Sequence, residues 1–360
     1  MKAAVLTALD QPLAIQALPD PEPGPGEAVI DMAAAGVASY TAGVLSGARN
    51  YMLELPIVPG PGGVGRVRSV GPDATRLKPG DWVYCDSTIR SRDDVLTPDS
   101  ILLGWTARTP AALPLHRHFH NGAFAQQMRV PLETLSPLGE IDAAEAGRWT
   151  VLGSLLVPFG GLLAGDLKAG ETLLVSGATG GFGGAGVVAA LAMGAGRVVA
   201  AGRNLGALQR LADRLGPRVV PAPMTGDSQA DQARLREAAQ GPVDMVLDFL
   251  PREATAAQAL TAITAVRPGG RVVLMGGLRG PNGDLGVNYN WLMHNNVTLK
   301  GQWMYGREAM PRMVQMVRAG LVDLDAFDLT EFPLTQANEA VAYAAEVGGA
   351  LQRVALRPDR

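Results

Sequence analysis

The pattern of apolar and polar positions changes part-way along the chain. Up to about residue 147, short strand-like segments alternate with proline and glycine clusters, such as PDPEPGPG (19–26) and VPGPGG (58–63). Proline and glycine interrupt regular elements and form turns, so this part predicts a β-rich domain. From about residue 171, short β-branched runs alternate with stretches rich in alanine and leucine. This second pattern predicts βαβ units on a parallel sheet.

The second part contains six segments with the length and composition of buried strands. They are residues 171–176 (ETLLVS), 197–201 (RVVAA), 218–220 (RVV), 243–248 (VDMVLD), 271–275 (RVVLM) and 297–303 (VTLKGQW). Six strands complete a doubly wound sheet, so we expect an α/β fold with a Rossmann domain.

The C-terminal part of the chain is predicted to return to the β-rich domain. A helix begins near Thr335, and the closing run Leu351–Leu356 has the pattern of a strand. A lone helix and strand after a completed parallel sheet pack most economically on the first domain. We therefore predict a discontinuous β-rich domain, residues 1–148 and 304–360, and a Rossmann domain, residues 149–303.

Composition and charge narrow the possible functions. A chain of 360 residues favours about two domains, and 47% hydrophobic with 18% charged residues is typical of globular proteins. The formal net charge is −3, without the excess of basic residues that nucleic-acid-binding proteins have, so we expect no nucleic-acid partner.

The apolar runs are shorter than the roughly 18 residues of a membrane span, and the N-terminus lacks a signal-peptide core. The single cysteine, Cys85, cannot form an internal disulfide. We expect a cytoplasmic protein without a membrane partner.

A glycine-rich turn follows the first predicted strand of the Rossmann domain. Strand 171–176 leads into GATGGFG (177–183) and then into an alanine-rich helix. Backbone N–H groups and the helix dipole bind a dinucleotide pyrophosphate at such a turn. Gly180 and Gly183 occupy the second and third glycine positions of G-x-G-x-x-G, with Ala178 at the first. A P-loop is excluded, because no Lys-Ser/Thr pair follows; a turn that only permits tight packing is the alternative.

The end of the second strand indicates which cofactor binds. NAD sites place Asp or Glu about 20 residues beyond the turn, whereas this chain reads Gly202-Arg203-Asn204. A guanidinium pairs with a 2′-phosphate, so we predict NADP(H); a solvated loop charge is the alternative for Arg203. The ends of the fourth and fifth strands, residues 248–250 and 275–277, should line the ribose and nicotinamide, with a strand-end cap as the alternative for Asp248. The predicted cofactor-binding residues are Ala178, Thr179, Gly180, Gly181, Phe182, Gly183, Arg203, Asn204, Phe249, Leu250, Gly276 and Gly277.

The order of these features resembles the medium-chain dehydrogenase/reductase superfamily over essentially the whole chain. The resemblance rests on LKAGETLLVSGATGGFG (167–183) and RPGGRVVLMGG (267–277), between a Pro/Gly-rich β domain and a returning C-terminal segment. The A-x-G-G-x-G turn is similar to that of the quinone oxidoreductase and enoyl reductase branch, whereas NGAFAQQMRVP (121–131) is similar to both this branch and the zinc alcohol dehydrogenases. The resemblance implies that the β-rich part is a GroES-like catalytic domain.

The resemblance also implies positions for zinc ligands, and this chain lacks the ligands there. Ala38 stands in place of the cysteine and Pro61 in place of the histidine, and neither has a side-chain donor atom. The lobe that holds structural zinc is replaced by a segment with His116, His118 and His120, which would share one face of a strand. A metal site there is the alternative to a solvent-facing strand or loop, and we predict no metal.

Without a Lewis acid, the substrate oxygen must be polarised by hydrogen bonds, which suits conjugated acceptors. The resemblance implies an NADPH-dependent reductase of quinones or α,β-unsaturated carbonyl compounds. Tyr40 stands at the proton-relay position of the zinc alcohol dehydrogenases and is the candidate proton donor, with a core tyrosine as the alternative. Candidates for the wall of a hydrophobic or aromatic substrate site are Tyr51, Trp105, Trp291 and Tyr305.

Two other functions remain as alternatives: a zinc-free carbonyl reductase or alcohol dehydrogenase, and a non-catalytic NADPH-binding sensor. Strand 297–303 lies at the predicted edge of the sheet, and unpaired apolar edges are usually covered. In this superfamily the strand commonly pairs with its copy in a second subunit. We therefore expect a homodimer.

Overall fold

The structure is a computed structural model that describes residues 1–94 and 96–358. Val95, in the segment that replaces the zinc lobe, lies outside the described residues. The last two residues of the predicted domain 304–360 lie outside them as well.

The chain divides into two compact units. Unit 1 comprises Met1–Gly153, Phe327–Gly348 and the segment that begins at Gln352. Unit 2 comprises Ser154–Ala326 and Gly349–Leu351. The β-rich part is discontinuous, in agreement with the sequence pattern.

The boundary after the Rossmann domain differs from the predicted one at residue 304. Residues 304–326 belong to unit 2. Packing explains the difference, because the Tyr305 side chain lies against Gly160 and the Arg312 guanidinium lies 5.7 Å from the centre of the Phe159 ring.

The first part of unit 1 is built from short strands joined by turns. The strands are β1 (Lys2–Val5), β2 (Ala14–Ala17), β3 (Glu27–Val37), β4 (Gly63–Val70), β5 (Trp82–Cys85), β6 (Thr88–Arg90), β7 (Ser100–Leu102), β8 (Thr106–Ala107), β9 (Gln127–Pro131) and β10 (Leu135–Pro137). The helices are α1 (Thr41–Leu45), α2 (Leu113–His118) and α3 (Ala146–Trp149), with 3₁₀ turns at Pro110–Ala112, Leu132–Thr134 and Ala143–Glu145. Strand β3 is buried along most of its length and pairs with both β4 and β9.

Unit 2, all of whose residues are described, contains a parallel sheet between helices. The strands are β11 (Thr172–Ser176), β12 (Arg197–Gly202), β13 (Val219–Pro223), β14 (Val243–Asp248), β15 (Val266–Leu274) and β16 (Thr298–Gly301). The helices are α4 (Leu152–Ala164), which begins in unit 1, α5 (Gly181–Ala192), α6 (Leu205–Leu215), α7 (Ser228–Ala239), α8 (Ala256–Ile263), α9 (Tyr289–His294) and α10 (Ala309–Arg318), with 3₁₀ turns at Gly280–Gly283 and Leu324–Ala326.

The strand order in unit 2 is β13-β12-β11-β14-β15-β16. Each of the six predicted segments contributes a strand to this sheet. Central strands such as β11 are buried along most of their length, because parallel sheets are covered on both faces. The order reverses between β11 and β14, and ligands of such sheets bind outside the carboxyl ends of the strands at this point.

The chain returns to unit 1 through β17 (Asp328–Pro333), a 3₁₀ turn at Leu334–Gln336, α11 (Ala337–Val347) and β18 (Gln352–Arg357). Strand β18 lies between β3 and β17, so the sheet order is β10-β5-β4-β3-β18-β17, with β9 also paired to β3. Strands β1 and β2 form a separate pair, and β6, β7 and β8 form a small sheet. The predicted fold class, a Rossmann sheet plus a discontinuous β-rich domain, is confirmed.

Among the described residues, one helical stretch, Ala143–Ala164, is long and apolar enough by length and composition to cross a membrane. Its most apolar window has a mean hydropathy of 1.2, and 72% of that window is buried. Buried core helices meet the same criteria. The expectation that nothing crosses a membrane stays a prediction.

Candidate functional site

The glycine-rich turn, residues 177–183, joins β11 to α5 at the carboxyl edge of the unit 2 sheet. Helix α5 begins at Gly181, and its N-cap, Gly180, provides no side-chain cap. A Cβ atom on Gly183 would overlap the Gly177 carbonyl oxygen, so the helix start approaches the strand end more closely than a larger residue allows. Gly180 is exposed, and the nearest atom to a Cβ there would be 3.4 Å away. The turn presents a helix N-terminus with little side-chain cover, which fits a dinucleotide pyrophosphate.

The end of β12 lies beside this turn. A Cβ atom on Gly202 would lie 2.9 Å from Cγ2 of Thr179, so the predicted turn residue contacts the strand end. Arg203 follows in an exposed position, and no carboxylate of the described residues pairs with its guanidinium. The Asn204 side-chain oxygen accepts a hydrogen bond from the Ala207 N–H at 3.0 Å and caps α6. Arg203 is therefore the side chain at this end that can take a 2′-phosphate.

Backbone hydrogen bonds join the loops after β11, β14 and β15. The Phe249 N–H donates to the Ser176 carbonyl at 2.9 Å, and the Gly277 N–H donates to the Leu250 carbonyl at 2.8 Å. The rings of Phe182 and Phe249 lie 6.1 Å apart, measured between their centres. The structure thus brings together predicted cofactor-binding residues from separate parts of the sequence.

Asp248 ends β14, at the strand end that is predicted to line the ribose and nicotinamide. Its side chain accepts a hydrogen bond from the Leu250 N–H at 3.3 Å and is hydrogen-bonded to the Ser176 side chain. Burial raises the pKa of Asp248 to about 6, and the two hydrogen bonds oppose this rise. Its hydrogen bond to the Leu250 N–H is the contact expected of a strand-end cap, the alternative that the sequence offers for this residue.

Tyr40, Tyr51 and Trp105 form an aromatic cluster in unit 1 together with Arg49, which sequence reasoning missed. The ring of Tyr40 lies 5.1 Å from that of Trp105 in an edge-on arrangement, and the ring of Tyr51 lies 6.5 Å from Trp105. The Arg49 guanidinium lies 4.3 Å from the centre of the Tyr40 ring and 5.6 Å from that of Tyr51. The cluster thus assembles the candidate proton donor and two of the predicted substrate-wall residues.

Burial raises the pKa of Tyr40 well above its usual range. The neighbouring Tyr51 adds to this rise, whereas the positive charge of Arg49 opposes it. The Tyr40 hydroxyl is therefore protonated at neutral pH, which is the state that a proton donor requires.

The other two predicted substrate-wall residues lie in unit 2. Trp291, on α9, packs in part against the hydrophobic core of that unit. Tyr305 is buried, with its side chain against Gly160 of α4.

The positions implied for zinc ligands do not fit a metal ion. Ala38 follows β3 and Pro61 precedes β4, and neither side chain has a donor atom. Within residues 1–94 and 96–358, no group of three or more His, Cys, Asp or Glu side chains is placed to hold a metal. Cys85 is buried, and burial raises the pKa of its thiol.

The three histidines do not share one face, because the segment is helical rather than extended. Helix α2 ends at His118, so His116 and His118, two positions apart, point in different directions. His118 pairs with Glu27 at 2.5 Å, whereas the rings of His116 and His120 lie 5.8 Å apart. His116 is buried, and no described group bonds to either of its ring nitrogens. Burial lowers the pKa of His116 to about 4.

Comparison with known proteins agrees with both units. Residues 24–140 match the family described as alcohol dehydrogenase GroES-like domain, and residues 181–319 match the family described as zinc-binding dehydrogenase. The chain belongs to the medium-chain dehydrogenase/reductase superfamily. This member of the superfamily is 29% identical over 355 residues to an alcohol dehydrogenase of Moraxella sp. (strain TAE123), with 94% of each chain covered.

Solved structures of the superfamily share the fold. The alcohol dehydrogenase TADH from Thermus sp. ATN1 has a TM-score of 0.82 at 23% identity, with 99% of each chain covered. A Sinorhizobium meliloti 1021 protein described as a zinc-binding dehydrogenase, solved with NADP bound, has a TM-score of 0.79 at 19% identity, also with 99% of each chain covered. Taken with the sequence matches, the chain is an alcohol dehydrogenase-like oxidoreductase of this superfamily.

Proposed function

We propose that this oxidoreductase is an NADPH-dependent, zinc-independent reductase of quinones or α,β-unsaturated carbonyl compounds. The observation that carries the proposal is the pair Ala38 and Pro61, which leave the zinc positions without donor atoms. Substrate oxygen is then stabilised by hydrogen-bond donors alone. A conjugated acceptor suits such a site, because hydride addition to it produces a delocalised enolate or hydroquinone anion rather than a localised alkoxide.

The cofactor part of the proposal rests on Arg203. The glycine-rich turn would hold the pyrophosphate, Arg203 the 2′-phosphate, and the loops 249–250 and 276–277 the ribose and nicotinamide. The NADP-bound relative from Sinorhizobium meliloti supports this cofactor. Arg203→Ala should lower the preference for NADPH over NADH by about tenfold or more, because a charge-assisted pair is lost. Equal affinity of the unmodified protein for NADH and NADPH, or an unchanged preference in the variant, would contradict the assignment.

Reduced nicotinamide supplies a hydride when it is bound. Completing the reduction also requires a proton, and we assign its donor to the Tyr40 hydroxyl, which is protonated at neutral pH. Arg49 stacks on the Tyr40 ring and favours the phenolate that remains after donation. Solvent then returns the proton to Tyr40.

A second candidate, a zinc-free carbonyl reductase or alcohol dehydrogenase, is favoured by the names of the relatives, among them the Moraxella alcohol dehydrogenase. Anaerobic NADPH oxidation with a quinone, an enone and a saturated aldehyde separates the two. We expect turnover with the quinone or the enone. Turnover with the aldehyde alone would favour the second candidate, and NADPH binding without oxidation of any acceptor would favour a sensor.

The proposal includes a homodimer and a cytoplasmic location. Strand β16 lies at the edge of the unit 2 sheet, and exposed apolar side chains flank it at Tyr289, Met293 and Trp303. Such an edge is usually covered, and a second copy of the chain would cover it. A single cysteine, Cys85, suits a reducing compartment.

A further inference from the structure

Asp248 stands at the point in unit 2 where three loops meet. Its backbone carbonyl accepts a hydrogen bond from the Met275 N–H at 3.1 Å, which ties it to the end of β15. Its side chain is bonded to Ser176, the last residue of β11, and to the Leu250 N–H of its own loop. One residue therefore contacts the ends of β11, β14 and β15.

The carboxyl group also fills the space beneath Gly276. A Cβ atom at Gly276 would overlap Oδ2 of Asp248, so the loop after β15 rests directly on the carboxyl group. Gly276 is exposed, whereas the Asp248 side chain is buried with 4% of its surface exposed. The carboxyl group thus supports an exposed loop from below and is not placed to contact a ligand.

The groups that face this carboxyl are uncharged. They are the Ser176 side chain, the Leu250 N–H and the backbone of Gly276. No charged side chain of the described residues contributes to its pKa shift. A buried carboxyl without a cationic partner is costly, and it persists where its hydrogen bonds hold a required arrangement.

We propose that Asp248 is a positioning residue that holds the loops after β11, β14 and β15 in the arrangement that binds the nicotinamide cofactor. This inference rests on the proposed cofactor site. Asp248 acts through Ser176, Leu250 and Gly276 and does not itself bind the cofactor.

The first test measures the NADPH dissociation constant of the full-length protein by nicotinamide fluorescence. Asp248→Ala removes both side-chain hydrogen bonds, and we expect the dissociation constant to rise about tenfold or more. Asp248→Asn keeps the shape but not the charge, and should have a smaller effect. Unfolding curves for each variant identify any that fail to fold, and Asp248→Asn provides the folded comparison if Asp248→Ala is unstable.

Asp244 provides a matched control on the same strand. It accepts a hydrogen bond from the Thr172 N–H at 2.8 Å and pairs with Arg267 at 2.7 Å, away from the three loops. Asp244→Asn should destabilise the fold while leaving the NADPH dissociation constant within about twofold of the unmodified protein. An equal loss of affinity in Asp244→Asn would show a general stability effect and overturn the proposal.

The second test measures how the effect of Asp248→Asn depends on pH. Because the pKa of Asp248 is raised to about 6, the residue is neutral at pH 5 and ionised at pH 8. The ratio of the dissociation constants of Asp248→Asn and the unmodified protein should approach one at pH 5 and be largest at pH 8. The 2′-phosphate of NADPH also titrates in this pH range, but it affects the dissociation constants of both proteins equally and therefore cancels in their ratio.

The outcomes separate this inference from the proposed function. If the unmodified protein does not bind NADPH, the proposed function fails. Two results would show that the positioning role is wrong while the proposed function stands. In the first, the unmodified protein binds NADPH, and folded Asp248→Ala and Asp248→Asn have NADPH dissociation constants within twofold of its value at every pH. In the second, the ratio of the dissociation constants of Asp248→Asn and the unmodified protein is constant from pH 5 to pH 8.

Discussion

The Tyr40 hydroxyl can be tested apart from its ring. Tyr40→Phe keeps the contacts with Trp105 and Arg49 and removes the proton. We expect kcat for enone or quinone reduction to fall by about 10²-fold or more, with the NADPH dissociation constant and the melting temperature little changed. Tyr343→Phe, on α11, is the control that also loses one hydroxyl. Unchanged turnover in Tyr40→Phe would remove this residue from the mechanism.

Burial of His116 in unit 1 makes the stability of the folded protein depend on pH. The pKa of this residue falls from its usual 6.5 to about 4 in the folded chain, since burial and His120 disfavour the charged form while Glu54 opposes the fall. Between these values the unfolded chain binds the extra proton, so the folded state loses stability as the pH falls from 6.5 towards 4. The loss amounts to at most about 3 kcal/mol.

His116→Leu removes this titration. The free energy of unfolding of the variant should fall less steeply between pH 6.5 and 4.5 than that of the unmodified protein, measured by denaturant titration at each pH. Parallel curves for the two proteins would show that His116 does not titrate as the structure indicates.

Local sequence patterns predicted some of these residues and not others. The turn 177–183 and Arg203 follow a motif of fixed spacing, so sequence alone places them beside each other. Arg49 and Asp248 gain their roles from contacts with the Tyr40 ring and with the β15 loop. No spacing along the chain records such contacts, which form only when the chain folds.

At the scale of elements, the strands of the Rossmann sheet could be predicted from the sequence, because burial on both faces gives each of them a short, largely apolar run. Helix α2 was predicted wrongly as an extended segment that presents three histidines. Pro110 and Pro114 each stand in the first turn of a helical element, where proline favours the start of a helix. The spacing of the three histidines does not predict a helix, whereas the positions of the two prolines do.

In the glycine-rich turn, one glycine is required for stability and another for cofactor binding. Gly183→Ala would force α5 away from the Gly177 carbonyl, and we expect a loss of about 1–3 kcal/mol of stability.

Gly180→Ala has room for the added methyl group and an extended backbone at φ −86°, so this substitution should lower the stability by less than about 1 kcal/mol. It should nevertheless weaken NADPH binding, because the methyl group lies where the pyrophosphate approaches. Unfolding and binding measurements on both variants test this contrast, which fails if Gly180→Ala binds NADPH normally.

At the scale of the whole molecule, the sequence predicted two parts and a returning C-terminus but placed both domain boundaries too early, after residue 148 instead of 153 and after residue 303 instead of 326. An amphipathic helix such as α10 shows that one face is buried without showing what covers it. Contacts of Tyr305 and Arg312 with α4 assign residues 304–326 to unit 2.

The proposed homodimer predicts a specific sensitivity at the edge of unit 2. Met293 and Trp303 are 51% and 46% exposed beside β16, and replacing both with Asp should convert a dimer into a monomer. Leu321→Asp, at a site 58% exposed after the end of α10, should leave the mass unchanged. Sedimentation equilibrium at micromolar concentration measures both. A monomeric mass of the unmodified protein would refute the dimer.

The position of β18 in the unit 1 sheet has a consequence for synthesis. Strand β18 lies between β3 and β17, with Val354 opposite Val37, so β3 gains this sheet partner only after a segment far beyond it in the chain has been synthesised. All strands of unit 2 are translated before it. A nascent chain can therefore form the unit 2 sheet while β3 still has an open edge, and a message truncated before Gln352 would release a chain with that apolar edge exposed to aggregation.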